Sequence, residues 1–379
     1  MKSLVRKILS SLLAGTLLIA PLVSSAEQGY KLETVAEGLN FPWSIDFLPE
    51  GDYIVAQRSG EVRIISREGE VGEPLAGLPE TYVAAQGGYF DVVLDPGFSE
   101  NHTLYLSFAY GAADGNGTRI VKGILEGNTV TNLQVIFTVA PLKDTPLHYG
   151  GKIQFLKDGT LAMTTGDGME YREAAQDPFS LLGKVIRINS DGSVPADNPF
   201  ADGKKGNPMV WSYGHRNPQG LALDVMTGNL YEHEHGAKGG DEVNLISPGK
   251  NYGWPAVTRG TNYSGAYVSP LQSAPGVEQP LTFWDPSIAP SGLAIYYGAA
   301  FPDWQGDLFV GALVDQEVRK LTLKDGKVIN EVPLFSEIAA RIREVRVGPD
   351  GNIYLLTDSD QGKVIRVSPA DQAVKDIRP

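Results

Sequence analysis

Apolar residues come in short runs along this chain, at 53–56, 104–108, 161–165, 308–310 and 353–356, and the runs are separated by Gly, Pro, Asn and Asp. Within them the pattern has a period of two, and convincing helical periodicity is scarce. Alternation with frequent turn residues predicts many short antiparallel strands. A weak repeat overlies the pattern: a turn rich in Pro, Asp or Gly, then an apolar strand. Copies begin at Leu48, Asp95, Leu156, Asp224, Pro302 and Gly348, spaced about 45 to 80 residues apart, near or above the period of propeller blades. Sheets arranged radially leave only short, protected edges. The expectation is an all-β chain folded as a six-bladed β-propeller, with residues 30–35 pairing onto the last blade to close the ring. Longer intervals around 170–215 and 232–290 are expected to hold long loops that form the active-site face, because rigid scaffolds carry function on loops. No internal boundary stands out, so 27–379 reads as a single domain, with a polar tail from Pro369.

The first 26 residues stand apart. Lys2, Arg6 and Lys7 precede an apolar stretch from Ile8 to Val23, and Val23-Ser24-Ser25-Ala26 is a small-residue cleavage site. This is the layout of a secretory signal peptide, which implies a periplasmic or secreted protein; an uncleaved anchor is the alternative. No later stretch is suited to span a bilayer, so membrane insertion is not expected. The formal charge is −13, and the leader holds three basic groups and no acid, so the remainder is more acidic still. Such a surface argues against nucleic acid and anionic membranes. There are no cysteines, which removes disulfides and thiolate metal sites. No Gly-x-Gly-x-x-Gly joins a strand to a helix, which disfavours a nicotinamide or flavin fold.

Chemistry concentrates in polar islands. They are Gln86-Gly87-Gly88, His148-Tyr149-Gly150-Gly151-Lys152, the stretch from His215 to Gly220, the stretch from Glu234 to Glu242, and the stretch from Arg341 to Arg346. A closed ring could bring them to one mouth, where they offer a proton acceptor and places for an anionic cofactor and a hard cation. Those are the parts of an oxidoreductase site. His148 lies in a turn, and imidazole has a suitable pKa to take a proton from an alcohol near neutrality; the plain alternative is a surface histidine. Arg216 and Asn217 offer a forked cation and an amide donor. Arg341 and Arg343 are two apart, so on a strand they share a face, and they repel unless an anion lies between them. Arg346 falls on the other face. His233 and His235 lack a third ligand at recognisable spacing, so zinc is not expected.

Taken in order, the islands resemble the soluble, periplasmic aldose sugar dehydrogenases that use pyrroloquinoline quinone (PQQ), relatives of soluble glucose dehydrogenase. Gly38-Leu39-Asn40-Phe41-Pro42-Trp43, Asn251-Tyr252-Gly253-Trp254-Pro255, Asn262-Tyr263-Ser264-Gly265 and Pro290-Ser291-Gly292 extend the resemblance over essentially the whole chain after the leader. It implies the six-bladed propeller and oxidation of an aldose at C1 to the lactone. Hydride would pass to PQQ and electrons onward to a respiratory acceptor, a quinone or redox protein. His148 would accept the C1 hydroxyl proton, and Arg216 would sit beside the reacting carbonyl of the cofactor. Asn217, Arg341 and Arg343 would bind PQQ, Gln86 would contact substrate or cofactor, and Tyr263 would stack on quinone or sugar. Gly236 and Ala237 would give carbonyls to a Ca²⁺ that bridges protein and PQQ. A second calcium would use Glu242 and the Tyr252 carbonyl, although Glu242 also reads as a solvated acid. Trp254 and Trp304 read as packing residues.

One departure stands out. Relatives often carry a lysine after a Gly-Ala-Leu-like string, where this chain has Gly311-Ala312-Leu313-Val314. Either Lys320 or another cation substitutes, or PQQ binds less tightly. A monomer or weak dimer is expected. Two other readings stay open at this stage. A calcium-dependent lactonase on the same kind of propeller would explain His148 and the acidic loops but not Arg216, Arg341 and Arg343. A non-catalytic binding propeller would leave all of them unexplained.

Overall fold

A computed structural model describes residues 29–370; the proposed leader at 1–26 and the tail after Ala370 lie outside the described residues. Six four-stranded antiparallel sheets form the blades of a propeller. The innermost strands are Pro42–Phe47, Tyr89–Leu94, Gly150–Phe155, Pro218–Leu223, Pro290–Ile295 and Ile342–Val347. Each packs against the innermost strand of the next blade, and the sixth returns to the first. The expected strand at the amino-terminal side runs longer than 30–35, as Tyr30–Leu39, and pairs with Gly362–Pro369 as the outer strand of the sixth blade. Pro369, expected to begin a tail, is instead paired with Tyr30.

The core is divided in the same way as the sheets. Six apolar clusters lie between successive blades, for example Ile54, Val62, Val92, Leu104 and Leu106 between the first and second. Alternating strands explain this: one face of each blade packs on the blade before it and the other on the blade after it.

Every innermost strand also carries a register shift within its first few residues, between Pro42 and Ser44, Tyr89 and Asp91, Gly150 and Ile153, Pro218 and Gly220, Pro290 and Leu293, and Ile342 and Glu344. Bulges bend a strand and re-aim its side chains. Here all six occur at one end of the axis, the mouth. Crowding there demands small residues. A Cβ on Gly292 would collide with the backbone nitrogen of Val345, and one on Gly151, already at φ +105°, would lie 2.7 Å from the Phe90 ring.

The long connections 166–183 and 247–281 reach this same end with Asp167, Trp254 and Tyr263. Residues 189–209 instead pack at the far end, where Asp197 and Asn198 hold Arg187. Helical segments are confined to short turns such as Phe98–Asn101. No helix among the described residues is long and apolar enough to cross a membrane.

Closure by the Tyr30–Leu39 strand buries Tyr30, Ala36 and Leu39. Leu39→Ala is expected to cost about 2–5 kcal/mol, as for other buried leucines. Deletion of residues 29–39 should expose the Gly362–Pro369 edge and lower the urea midpoint markedly. An unchanged midpoint after deletion would contradict closure by this strand.

Candidate active site

Residues that open the innermost strands meet residues that follow the second strands, and together they line a cavity of about 300 Å³ at the mouth. The first group includes Trp43, Gln86, His148, Arg216, Asn217, Arg341 and Arg343. The second includes Arg58, His235, Leu313 and Asp358, and Tyr263 adds a wall from the long 247–281 connection. All seven residues expected to act in catalysis or cofactor binding therefore share one space.

His148 is nearly buried and sits at φ +51°, in the left-handed region. Its backbone N–H donates to Gln86 Oε1 at 2.8 Å, which fixes the turn. Its Nδ1 lies 2.7 Å from Asp167 Oδ1, and the other oxygen of Asp167 accepts the Trp254 indole N–H at 2.7 Å. An ionised Asp167 can only accept, so Nδ1 carries the proton and Nε2 keeps its lone pair. Among the described residues no hydrogen bond is formed to Nε2. Burial holds the imidazole below its ordinary pKa; Asp167 opposes this, and Arg216 and Lys143 reinforce it. The ring is thus a neutral acceptor at pH 7, oriented by a carboxylate. Gln86 has a role that was not expected, because its carbonyl serves the His148 backbone; its amide NH₂ remains for the cavity. Trp254 packs against Ala175 and Ala237, as a packing residue should, but also anchors Asp167.

Arg216 is buried, with its guanidinium 5.2 Å from the Trp254 ring centroid. One Nη donates to the carbonyls of His235, at 3.2 Å, and Gly236. Among the described residues its buried Nε has no partner. Asn217 Oδ1 faces the Gly150 N–H at 3.4 Å and Gln219 Nε2 at 3.3 Å.

Arg341 and Arg343 do have an anion between them: Asp358, 2.9 Å from Arg341 Nε and 3.2 Å from Arg343 Nη2. Burial alone would raise the Asp358 carboxyl, but Arg343 and Arg341 outweigh it and hold the group below the usual range. Arg343 also lies 3.9 Å over the Trp43 ring. Arg346 sits deeper along the axis, bonded to the Ile45 carbonyl and 3.5 Å from Asp91, away from the cavity. Tyr263 is a rim residue, 66% exposed. Val314 is 57% exposed and does not line the cavity. Lys320 is tied to Asp307 at 2.8 Å, so it is not the substitute cation.

Three of the four expected calcium residues border a second, much smaller chamber of about 10 Å³: Gly236, Glu242 and Tyr252, with Glu234. Ala237 is buried among Ala175 and Trp254 and borders neither space. Glu234 and Glu242 face each other across the ladder. Burial, and then Glu234, pushes Glu242 up to about 8. His215 Nδ1 and carboxylates of Glu232 and Glu234 also lie within 4.8 Å of one another. Burial pushes the Glu232 carboxyl up as well; buried carboxylates such as Glu232 and Glu242 fit a hard divalent cation, which would restore their charged forms. His233 and His235 do not converge: His233 Nε2 faces the Gly292 carbonyl, while His235 lines the main cavity.

Arg58 and Asp358 in the cavity, and Asp167 behind His148, were not singled out from sequence. Each lies just after a second strand, in Gln57-Arg58-Ser59, Thr165-Gly166-Asp167-Gly168 and Thr357-Asp358-Ser359. The available signal was positional: a polar residue just past an apolar run whose partner strand opens with an island.

A family profile described as glucose/sorbosone dehydrogenase matches residues 39–366. The aldose sugar dehydrogenase YliI of Escherichia coli is 38% identical over 89% of this chain and 92% of its own length. Quinoprotein glucose dehydrogenase B of Acinetobacter calcoaceticus is 25% identical over 88% and 86%. The PQQ-bound form of an aldose sugar dehydrogenase from Streptomyces coelicolor superposes with a TM-score of 0.73 at 28% identity, covering 89% of this chain and 98% of that one. The match runs through every blade and every island that builds the cavity, and the chain belongs to the glucose/sorbosone dehydrogenase family.

Proposed function

We propose that the protein is a PQQ- and calcium-dependent dehydrogenase that oxidises aldoses at C1 to the lactone outside the cytoplasm and passes electrons to a quinone or redox protein. The observation that carries this reading is a single cavity in which a neutral, carboxylate-oriented His148 shares space with four guanidinium groups. Imidazole supplies a base for an alcohol, and the guanidiniums match a polycarboxylate. PQQ, when bound, accepts the hydride that an alcohol carbon must lose. Family relatives named as aldose sugar dehydrogenase and quinoprotein glucose dehydrogenase support this assignment. A lactonase would leave the arginines unused.

The protein groups have separable tasks. Arg341 and Arg343 would hold carboxylates of the cofactor, and Asn217 and Gln86 would direct amide donors at it or at the sugar. Arg216 has an unpartnered buried Nε and would stabilise negative charge that develops on the quinone oxygen. Glu242 with Tyr252 would hold a Ca²⁺ in the small chamber, with the Gly236 carbonyl, which here accepts from Arg216, at its edge; Ala237 is set apart from it. His148 Nε2 would receive the C1 hydroxyl proton while Asp167 stabilises the imidazolium.

Purified apoprotein given PQQ, Ca²⁺, glucose and a dye acceptor should bleach the dye only when both additions are present. Bleaching without PQQ would overturn the quinoprotein reading. His148→Gln should retain PQQ and lose about 10²- to 10⁴-fold in kcat. The pH profile follows from the sign of the His148 shift. A base with a lowered pKa is active above that value, so kcat/KM should fall only as pH drops below the ordinary histidine value of 6.5. Asp167→Asn removes the one influence that raises this pKa, so the acidic limb should move further down as kcat drops. An acidic limb above 6.5 would assign the base elsewhere. Arg343→Ala should weaken PQQ binding more than it changes KM for the sugar, measured by cofactor titration and sugar saturation.

A further inference from the structure

Four guanidinium groups and a single carboxylate line the main cavity. Three of the four are held by protein acceptors. Arg341 and Arg343 share Asp358, and Arg216 donates to the His235 and Gly236 carbonyls. Arg58 is different. Among the described residues its guanidinium has no carboxylate partner and no hydrogen bond. It is placed only by aromatic faces, 4.1 Å from the Phe41 ring centroid and 6.0 Å from that of Trp43. Trp43 also carries Arg343 at 3.9 Å, so one indole serves both cations. The backbone keeps Arg58 at this spot. Its N–H donates to the Phe41 carbonyl at 3.0 Å, and Gly88 is packed so closely on the Arg58 carbonyl that no Cβ would fit.

An arginine gathered among like charges raises the energy of the empty site. Proximity to Arg341 and Arg58, after burial, holds Arg343 below its ordinary range. Such an arrangement is relieved by an anionic ligand. Asp358 is already divided between Arg341 and Arg343, so a polycarboxylate must find a further cation. Val314 faces solvent and Lys320 is committed to Asp307, which leaves Arg58 as the free group.

Building on the PQQ reading above, we propose that Arg58 is a cofactor-binding residue that holds a carboxylate of PQQ and takes the role left open by valine at position 314. Its stacking on Phe41 and Trp43 keeps the guanidinium oriented without satisfying its donors, which is what a preorganised anion contact requires.

The test is equilibrium dialysis of PQQ against full-length apoprotein with saturating Ca²⁺, together with the melting midpoint of the ligand-free protein. Arg58→Gln should raise the PQQ Kd by about 10- to 100-fold, the range of a lost charge-assisted hydrogen bond. Its salt dependence should become shallower. The ligand-free variant should melt at or above the wild-type temperature, because a repelling charge has been removed; a merely structural arginine would instead lower it. Arg58→Lys should keep the charge and stay within ~10-fold of wild type, short of the full fork geometry. Equal PQQ binding by wild type and Arg58→Gln would overturn the role of Arg58 and leave the functional reading standing. Failure of the wild-type protein to bind PQQ would overturn that reading, and Arg58 with it.

Discussion

Six strands can meet around one axis only if their crowded ends carry small residues and bend. In this protein Gly151 and Gly292 meet that demand, and a bulge near the start of every innermost strand bends the chain at the same height. The bulges interrupt pairing, so side chains there are re-aimed rather than locked into the sheet. Arg343 lies within such a bulge, and His148 and Asn217 stand just before two others. Closure by the Tyr30–Leu39 strand keeps the ring from opening, and with it the distances across the mouth. The site is therefore a consequence of convergence. No single blade contains it.

Electrostatics then divides the mouth into two sides. On one side, Asp167 is buried and is shared by His148, Trp254 and the Met169 N–H. Its charge fixes the proton on Nδ1, while burial keeps the ring neutral. On the other side, cations outnumber the one carboxylate, Asp358. A neutral base facing an excess of guanidinium charge suits a reaction in which a proton leaves one partner as negative charge builds on the other. Behind the base, the buried Lys143 donates to Asn116 Oδ1 at 2.8 Å and lies 3.6 Å over the Tyr149 ring. It stiffens the turn that presents His148.

The sequence carried half of this plainly. Alternating runs and six turn repeats predicted the propeller, and the islands at Gln86, His148, His215 and Arg341 marked the openings of four innermost strands, while the island from Glu234 to Glu242 joins the second and third strands of the fourth blade. Resemblance to a family then gave roles to His148, Arg216, Asn217, Arg341 and Arg343. The other half lies just past the second strands. Arg58, Asp167 and Asp358 sit in short polar turns, and nothing in their local spacing separates them from ordinary turn residues. Only the blade geometry sets them opposite the islands. Gln86 illustrates the same limit: its position was legible, but its bond to the His148 backbone depends on a contact 62 residues away. Tyr263 and Val314 were legible as positions too, yet their exposure follows from how the 247–281 connection and the Leu313 turn meet the rim.

The proposed coupling of proton uptake at His148 to hydride loss from C1 is tested most directly by single-turnover reduction of the protein given PQQ and Ca²⁺, with glucose and with C1-deuterated glucose, across the acidic pH limb. The predicted result is slower reduction with the deuterated sugar, with a rate that falls as His148 becomes protonated. Reduction that is insensitive both to deuterium at C1 and to pH in that range would contradict it.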